Sequence, residues 1–314
     1  MGAAPAPRTL LLGASGFLGS NVAGQLVRRG ERGLVLHVGR RSPTSGPHPY
    51  ERMSVHADLA DGQAVSALLG SVRPRRIINC VALADVDRCE AEPTLADALN
   101  RRLPALLATW AREHGADLLH VSTDAVFDGS GGPYGVQDRP APLNAYGRTK
   151  RAGEEEVLAE HPDALVARTN IVGWSPSGTR SLLEFFHGRL AAGVEVPGFT
   201  DVSFRPLPVQ RFLPGCEALL DAGQRGIVHL TGPELLSKYA FGVMVARGFG
   251  FDDALVVPAR VQTAGLTAAR APTLDVLPTL LPDGSMPVMG SLADGLAELR
   301  SMRPSGSSPA PEVG

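Results

Sequence analysis

Short apolar runs alternate with helical patterns over residues 9–169. This alternation is typical of βαβ units that build a parallel sheet. Several runs are continuously apolar, which indicates strands covered by helices on both faces. The predicted strands are residues 9–12, 33–38, 52–56, 76–82, 117–122 and 164–169. The predicted helices are residues 16–29, 61–69, 93–114 and 144–160. We therefore expect an α/β protein with a doubly wound parallel sheet, the Rossmann type.

The regular alternation weakens after residue 169. A further helix is predicted at 180–192, followed by chain rich in glycine and proline. We expect residues 1–172 to form the sheet domain, completed by segments near 207–230, and residues 173–300 to form mainly a smaller C-terminal lobe. Residues 301–314 have almost no apolar content, which predicts a disordered tail.

Charge and composition exclude several classes of function. The 314 residues include 30 basic and 32 acidic ones, and the basic residues are scattered among carboxylates. This distribution argues against nucleic-acid and membrane partners. No apolar run approaches the ~18 residues of a membrane span, and no signal peptide is recognised, so we expect a cytoplasmic protein. Three cysteines without CxxC spacing favour a reducing compartment, and the isolated histidines favour no metal. The oligomeric state stays open, with a homodimer as one option.

A glycine-rich turn joins the first predicted strand to the first predicted helix. Its backbone can approach a phosphate closely, and the helix N-terminus stabilises negative charge. The spacing is G-x-x-G-x-x-G rather than the commoner G-x-G-x-x-G, so a purely structural turn is the alternative. Its place in the first βαβ unit favours a dinucleotide site. The residues predicted to bind the cofactor here are Gly13, Ser15, Gly16, Phe17, Leu18 and Gly19.

Two arginines, Arg40 and Arg41, follow the second predicted strand. NAD-specific proteins place an acidic residue at this point to bind the ribose hydroxyls, whereas arginine would neutralise a 2′-phosphate. NADPH is therefore the expected cofactor, with NADH possible and two solvated loop arginines as the alternative. Asp58 and Leu59 follow the third strand and are predicted to flank the adenine, although Asp58 could instead cap the next helix.

Tyr146 and Lys150 lie four residues apart in the predicted helix 144–160, which places them on one face. The coincidence is informative because only two of the 30 basic residues are lysine, Lys150 and Lys238, and only four residues are tyrosine. A phenol with a pKa of ~10 is a poor acid-base group at neutral pH, and a nearby ammonium favours its ionised form. The pair predicts acid-base chemistry.

The fifth predicted strand ends in Ser122 and Thr123. In a doubly wound sheet the carboxyl ends of the strands line the ligand crevice, so Thr123 is predicted to hold a substrate oxygen. For Ser122, capping of the strand end is the alternative to a contact with the cofactor.

These segments resemble the extended short-chain dehydrogenase/reductases, and most closely the dTDP-4-dehydrorhamnose reductase family. The resemblance extends from residue 9 to a final helix near Leu299. It implies hydride transfer from NAD(P)H to the keto carbon of a nucleotide-linked sugar, with substrate binding in the smaller lobe. The segments that carry it are GASGFLG, IINCVALADVDRCEAEP, VSTDAVFDG, YGRTK, ARTN and GIVHLTG.

The resemblance implies roles for individual residues. Tyr146 would protonate the developing alkoxide, Lys150 would lower the pKa of the phenol and hold the nicotinamide ribose, and Thr123 would polarise the carbonyl. Further expected cofactor contacts are Val81, Ala82, Leu83, Asn100, Ser122 and Thr169. The expected substrate contacts are Asp124, Ala125, Asn170 and Arg205, of which Arg205 would bind the diphosphate or else be an ordinary surface residue.

The chain departs from the family pattern at positions that bear on the substrate. Ala125 replaces the glutamate of dehydratases, which disfavours dehydration, and it also replaces the usual tyrosine of the reductases. Leu83 replaces an aromatic residue, and Asn170 and Ile171 replace a Ser-Trp pair. Rhamnose itself is therefore left open beside another deoxysugar. Two other functions share these residues: a non-catalytic NADP-binding subunit of the methionine adenosyltransferase beta type, and a nucleotide-sugar epimerase.

Overall fold

The computed structural model describes residues 8–39, 53–264, 268–287 and 290–302. The strands are β1 (Thr9–Leu12), β2 (Leu34–His37), β3 (Ser54–Val55), β4 (Arg76–Asn79), β5 (Asp117–Thr123), β6 (Leu165–Thr169), β7 (Ile171–Val172), β8 (Val196–Phe199), β9 (Ser203–Phe204), β10 (Leu207–Pro208), β11 (Gly226–His229), β12 (Leu236–Ser237), β13 (Val256–Ala259) and β14 (Thr273–Leu274). The helices are α1 (Phe17–Arg28), α2 (Gly62–Val72), α3 (Val86–Ala91), α4 (Pro93–Asp97), α5 (Leu103–His114), α6 (Ala145–Glu160), α7 (Leu182–Ala191), α8 (Phe212–Asp221), α9 (Lys238–Phe249) and α10 (Leu292–Ser301).

A parallel sheet of seven strands forms the centre of the fold, in the order β11-β6-β5-β4-β1-β2-β3. Leu10 of β1 stands opposite Val35 of β2 on one side and Ile77 of β4 on the other. All four residues of β1 are buried, as expected for a strand covered on both faces. The predicted doubly wound α/β fold is confirmed.

The chain divides into two compact units. Unit 1 contains the described residues within 1–126, 142–168 and 223–228. Its core lies between the central strands and the helices α2, α5 and α6, with Leu10, Ile77, Leu107, Leu118 and Val157 among the buried side chains. Burial of these aliphatic side chains is the main favourable term for this unit, at about 25 cal/mol per Å² of apolar surface.

Unit 2 contains the described residues within 127–141, 169–222 and 229–314. Its strands pair in small groups: β7 with β10, β8 with β13, and β9 with both β12 and β14. Part of its core is aromatic, with edge-on contacts of Trp174 and His187 to Phe249. The assignment of the two units to cofactor and substrate binding stays a prediction.

Several predicted elements differ from the observed ones. The predicted helix 93–114 is divided into α4, a π-helical segment Ala98–Arg102 and α5, and Asn100 in the π segment is buried. The predicted strand 52–56 is reduced to Ser54–Val55, and helix α3 was not predicted. Most of the predicted tail, residues 303–314, lies outside the described residues. Among the described helices, none has both the length and the apolar character to cross a membrane.

Candidate active site

The glycine turn after β1 is tight. Gly13 has φ of 82°, in the left-handed region that favours glycine, and a Cβ at this residue would lie 3.1 Å from Cγ2 of Val81. A Cβ at Gly19 would collide with the carbonyl oxygen of Gly13. Helix α1 begins after Gly16, where no described side chain caps it, and its first turn contains no acidic residue. The positive end of the helix is therefore suited to a phosphate group.

The other predicted cofactor residues of this region have different surroundings. Ser15 is exposed, Phe17 is half-buried and Leu18 is buried. Arg40 and Arg41 lie outside the described residues, so the basis for preferring NADPH is not observed. Among the described residues, His37 at the end of β2 has a buried Nδ1 without a hydrogen-bond partner.

Asp58 does not cap helix α2. The cap is Asp61, whose carboxylate accepts a hydrogen bond from the backbone N–H of Gln63 at 2.9 Å. The carboxylate of Asp58 instead accepts from the N–H of Ala60 at 3.1 Å, which closes a turn. The helix-capping role considered for Asp58 is therefore wrong, because the capping residue lies three positions later in the chain. The side chain of Leu59 is buried in the core of unit 1, and the adenine contact of both residues stays a prediction.

Asn100 holds the loop that follows β4. Its Oδ1 accepts the N–H of Leu83 at 2.9 Å, and its Nδ2 donates to the carbonyl of Leu83 at 3.1 Å. The same Nδ2 donates to Oγ1 of Thr149 at 3.1 Å, next to Lys150 in helix α6. Asn100 thus ties the predicted cofactor loop of Val81, Ala82 and Leu83 to the helix that carries Tyr146 and Lys150.

Helix α6 is fixed at its first turn by two acceptors. Oδ1 of Asn144 accepts the N–H of Gly147 at 2.9 Å, and the carboxylate of Glu90 in α3 accepts the N–H of Ala145 at 2.7 Å. Both groups satisfy amides that a helix start otherwise leaves unpaired. The position of Tyr146 is therefore fixed from both α3 and the loop before α6.

Two glycines let helix α6 approach its neighbours. A Cβ at Gly147 would collide with the carbonyl oxygen of Ala125, and one at Gly153 would collide with that of Asn100. Glycine in a helix interior costs about 1 kcal/mol relative to alanine. Here glycine is required despite that cost, because only a residue without a Cβ lets α6 pack closely enough to bring Tyr146 near Thr123.

Tyr146 is a half-buried phenol at the start of helix α6. Burial raises the pKa of Tyr146 to about 12, the polar side chain of Thr123 opposes the rise, and the negative charge of Asp124 adds to it. The phenol is therefore protonated at neutral pH and can donate a proton. The predicted lowering of this pKa by Lys150 stays a prediction.

Lys150 is 1% exposed. Its Nζ donates to the carbonyl of Val121 at 2.6 Å and lies 3.3 Å from Nε2 of His120. Burial lowers the pKa of Lys150 to about 8, against the opposing effect of the Glu154 charge. Tyr146 and Lys150 do lie one turn apart on helix α6, as the sequence predicted.

Thr123 and Ser122 end β5 with different partners. Oγ1 of Thr123 donates to the carboxylate of Asp124 at 3.3 Å and accepts the N–H of Ala125 at 3.1 Å. The hydroxyl of Ser122 donates to Oε1 of Glu154 at 2.5 Å. Unit 1 thus brings together Thr123, Asp124, Tyr146 and, one turn further along α6, Lys150.

Sequence reasoning missed the buried polar groups that support this arrangement. Glu154 forms a buried ion pair with Arg168, and His120 lies between Lys150 and Asn79. The sequence did contain a signal for the ion pair, because charged residues such as Glu154 and Arg168 are rarely placed on the buried face of a helix or inside an apolar strand. Among the described residues, no group of three or more His, Cys, Asp or Glu is arranged to hold a metal.

Three predicted residues belong to unit 2. Oγ1 of Thr169 is buried and, among the described residues, has no hydrogen-bond partner. Asn170 is half-buried, and its backbone carbonyl accepts the N–H of Leu207. Arg205 is not an ordinary surface residue, because its side chain is 14% exposed and its Nε lies 2.6 Å from Asp275. Its contact with a diphosphate stays a prediction.

The chain is similar to known proteins over most of its length. The chain is 34% identical over 262 residues to the probable low-salt glycan biosynthesis reductase Agl14 of Haloferax volcanii, covering 82% of this chain and 85% of that protein. It is 35% identical to a dTDP-4-dehydrorhamnose reductase of Mycobacterium tuberculosis strain CDC 1551, over 80% of this chain and 78% of that protein. It is 31% identical to methionine adenosyltransferase 2 subunit beta of Danio rerio, over 85% of this chain and 81% of that protein.

Among solved structures, a dTDP-4-dehydrorhamnose reductase from Bacillus anthracis strain Ames in complex with NADP has the same fold. The TM-score is 0.78 at 23% identity, covering 95% of this chain and 99% of that chain. Residues 7–279, most of this chain, match the family described as the RmlD substrate binding domain. The resemblance noted from the sequence is confirmed: the chain belongs to the RmlD substrate binding domain family, within the extended short-chain dehydrogenase/reductases.

Proposed function

We propose that this chain is an NADPH-dependent reductase of a nucleotide-linked 4-keto-6-deoxysugar. The observation that carries the proposal is that helix α6 places the Tyr146 phenol one turn from the buried Lys150 and packs against the chain just after Thr123. A protonated phenol beside a hydroxyl can hold a carbonyl oxygen and deliver a proton to it. The reductases among the relatives support this class of reaction.

The cofactor is supported by the glycine turn. Gly13, Gly16 and Gly19 leave the backbone accessible at the uncapped start of α1, where a diphosphate would be stabilised by amides and the helix dipole. NADPH, when bound, supplies the hydride. The NADP bound to the related Bacillus anthracis protein and the pair Arg40 and Arg41 favour NADPH over NADH.

The chain supplies the proton and the orientation. Thr123 and Tyr146 would hydrogen-bond the keto oxygen, which polarises the carbonyl before the carbon receives hydride. The alkoxide that develops on the sugar takes the phenolic proton of Tyr146. Lys150 would hold the nicotinamide ribose. Asp124, buried beside Thr123, would accept hydrogen bonds from sugar hydroxyls.

The sugar is restricted by residue size. Ala125 cannot act as the base that a dehydratase requires, so the proposal is reduction without dehydration. Ala125 and Leu83 also present less surface than the aromatic residues of rhamnose-forming relatives. A deoxysugar other than rhamnose is therefore the substrate that we favour, bound in part by Asn170 and Arg205.

The decisive test is Tyr146→Phe assayed by NADPH oxidation with a panel of dTDP-4-keto-6-deoxysugars. Loss of the proton donor is expected to lower kcat by about 10² to 10⁴-fold while leaving NADPH affinity unchanged. Tyr239→Phe, in helix α9, is the matched control and should retain wild-type turnover. Wild-type kcat in Tyr146→Phe would rule out the mechanism.

The similarity to methionine adenosyltransferase 2 subunit beta supports a second candidate, a nucleotide-binding subunit without catalysis. That function requires the cofactor turn but not the proton donor. Tight NADPH binding without turnover on any keto sugar, together with co-purification of a partner enzyme, would favour it over the reductase.

A further inference from the structure

Three buried side chains of unit 1, Asn79, His120 and Lys150, contact one another in a line. Nδ2 of Asn79, at the end of β4, lies 3.1 Å from Nδ1 of His120 in β5. Nε2 of His120 lies 3.3 Å from Nζ of Lys150. Asn79 and His120 are both 0% exposed, so neither can exchange these partners for bulk water.

The backbone fixes the direction of every hydrogen bond in this line. Oδ1 of Asn79 accepts the N–H of Val81 at 3.1 Å, and since a backbone N–H can only donate, the amide group of Asn79 must turn its NH₂ toward His120. Nδ1 of His120 must then be the acceptor. A neutral imidazole that accepts at Nδ1 carries its proton on Nε2.

That proton points at Nζ of Lys150. An ammonium would present a second donor to it, whereas a neutral amine has a lone pair that can accept it. One N–H of the same amine remains for the carbonyl of Val121, which lies 2.6 Å from Nζ. All the contacts are satisfied together only with Lys150 in its neutral form.

We propose that Asn79 and His120 are positioning residues that present an N–H to Nζ of Lys150 and so favour its neutral amine. The inference rests on the proposed function for its meaning: reduction of a ketone by NADPH consumes one proton per turnover. The pH range in which Lys150 changes its charge would then be set from inside the sheet, by residues that do not contact substrate.

Other groups around Lys150 act in both directions. On its own helix, Glu154 favours the ammonium, although Arg168 of β6 already pairs with that carboxylate. The Cys80 thiol after β4 has its pKa raised to about 12 by burial and is uncharged at neutral pH. Burial also holds the pKa of His120 well below its usual value, so His120 itself stays neutral. The balance agrees with the lowered pKa of Lys150.

The chain is suited to a direct test because it contains only two lysines. Protein labelled with ¹³C,¹⁵N-lysine gives two side-chain signals, and Lys238→Arg assigns them. ¹⁵N-histidine labelling, assigned with His120→Gln, reports the tautomer of His120. In the wild type we expect the Nε2–H tautomer and a Lys150 titration near pH 8.

Asn79→Asp reverses the direction of the hydrogen bonds from residue 79 through His120 to Lys150, and the aspartate side chain has nearly the same shape as that of asparagine. An aspartate accepts from Nδ1–H, which turns Nε2 into an acceptor for the ammonium. The tautomer of His120 should switch, and the pKa of Lys150 should rise by about one unit or more. Because the new carboxylate also attracts the ammonium through space, Asn79→Asp in the His120→Gln background is the control, and there the rise should be smaller.

An Nδ1–H tautomer in the wild type would overturn the proposal without any variant. So would an equal rise on Asn79→Asp in both backgrounds. Both readouts are independent of turnover, so an absence of activity on every keto sugar would refute the proposed function and leave this test intact.

Discussion

The carboxylate of Glu154 and the guanidinium of Arg168 form an ion pair at 2.7 Å with side chains that are only 2% and 3% exposed. The pair joins helix α6 to strand β6, and Ser122 of β5 also donates a hydrogen bond to the carboxylate. Helix α6, which carries Tyr146 and Lys150, is thus connected to strands β5 and β6 through the side chain of Glu154.

Replacing Glu154 by alanine should destabilise the protein strongly. The change leaves Arg168 buried without this counter-charge, and loss of one partner of a buried pair costs about 3–5 kcal/mol. Urea unfolding at pH 7 measures the free energy. Glu155→Ala is the matched control, because Glu155 pairs with Arg151 at the surface, where such pairs contribute about 0–1 kcal/mol. Similar small losses in both variants would show that the buried pair does not anchor α6.

Gly147→Ala should destabilise the protein, although alanine normally stabilises a helix interior. The added Cβ would collide with the carbonyl of Ala125 and lie 2.8 Å from Cβ of Pro142. We expect a lower Tm and a lower kcat, since Tyr146 moves away from Thr123. Gly70→Ala in α2 is the control: no described atom lies within 4 Å of its new Cβ, so it should gain up to about 1 kcal/mol. A stabilised Gly147→Ala would contradict the close packing.

The sequence predicted the parallel sheet and the spacing of Tyr146 and Lys150 because both depend on local patterns. Buried parallel strands are continuous apolar runs, and the Tyr146 and Lys150 pair depends only on helical spacing. Both features are visible within a single stretch of sequence. The predicted strand of residues 9–12 matches β1 at both ends for the same reason.

The supporting polar groups could not be predicted, because their partners are distant in sequence. Asn79 meets His120 across 41 positions, and Asn100 meets Thr149 across 49. Asn100 lies in the π segment Ala98–Arg102, and the periodicity of the hydrophobic residues does not indicate that segment. Nothing in the local sequence distinguishes Arg205 from the other arginines, because its partner Asp275 lies 70 positions away.

Changing Tyr134 to phenylalanine should make the stability of the loop after β5 less sensitive to acid. Hydrogen bonds from Tyr134 at 2.6 Å and from Ser130 lower the pKa of Asp128 to about 2. A lowered carboxyl pKa stabilises the fold above its unfolded value of 3.8, and this stabilisation is lost as the pH falls toward 2. Urea unfolding at pH 7 and pH 3.5 should show a smaller loss on acidification in Tyr134→Phe than in the wild type or in Tyr239→Phe. Equal losses in all three would exclude the effect.

Arg205 gives a test that separates substrate binding from structure. Asp275→Asn keeps a hydrogen-bond acceptor for Arg205 but removes the charge that competes with a diphosphate. If Arg205 binds the nucleotide diphosphate, KM for the nucleotide sugar should fall in Asp275→Asn and rise in Arg205→Ala, with kcat little changed. A lower Tm in both variants with an unchanged KM would assign the pair to the stability of unit 2 alone.

Lys150 should make the stability of the protein rise with pH in a defined range. Its pKa is about 8 in the folded chain and 10.5 in the unfolded one, so between these values the unfolded chain binds more protons. Stability therefore increases as the pH rises from 8 to 10.5, by roughly 3 kcal/mol for this group. Lys150→Met has no amine to titrate. Urea unfolding across this range should therefore show that the free energy of unfolding rises more in the wild type than in the variant. Lys238→Arg should follow the wild type, whereas parallel curves for the wild type and Lys150→Met would mean that Lys150 is not titrating as a buried amine.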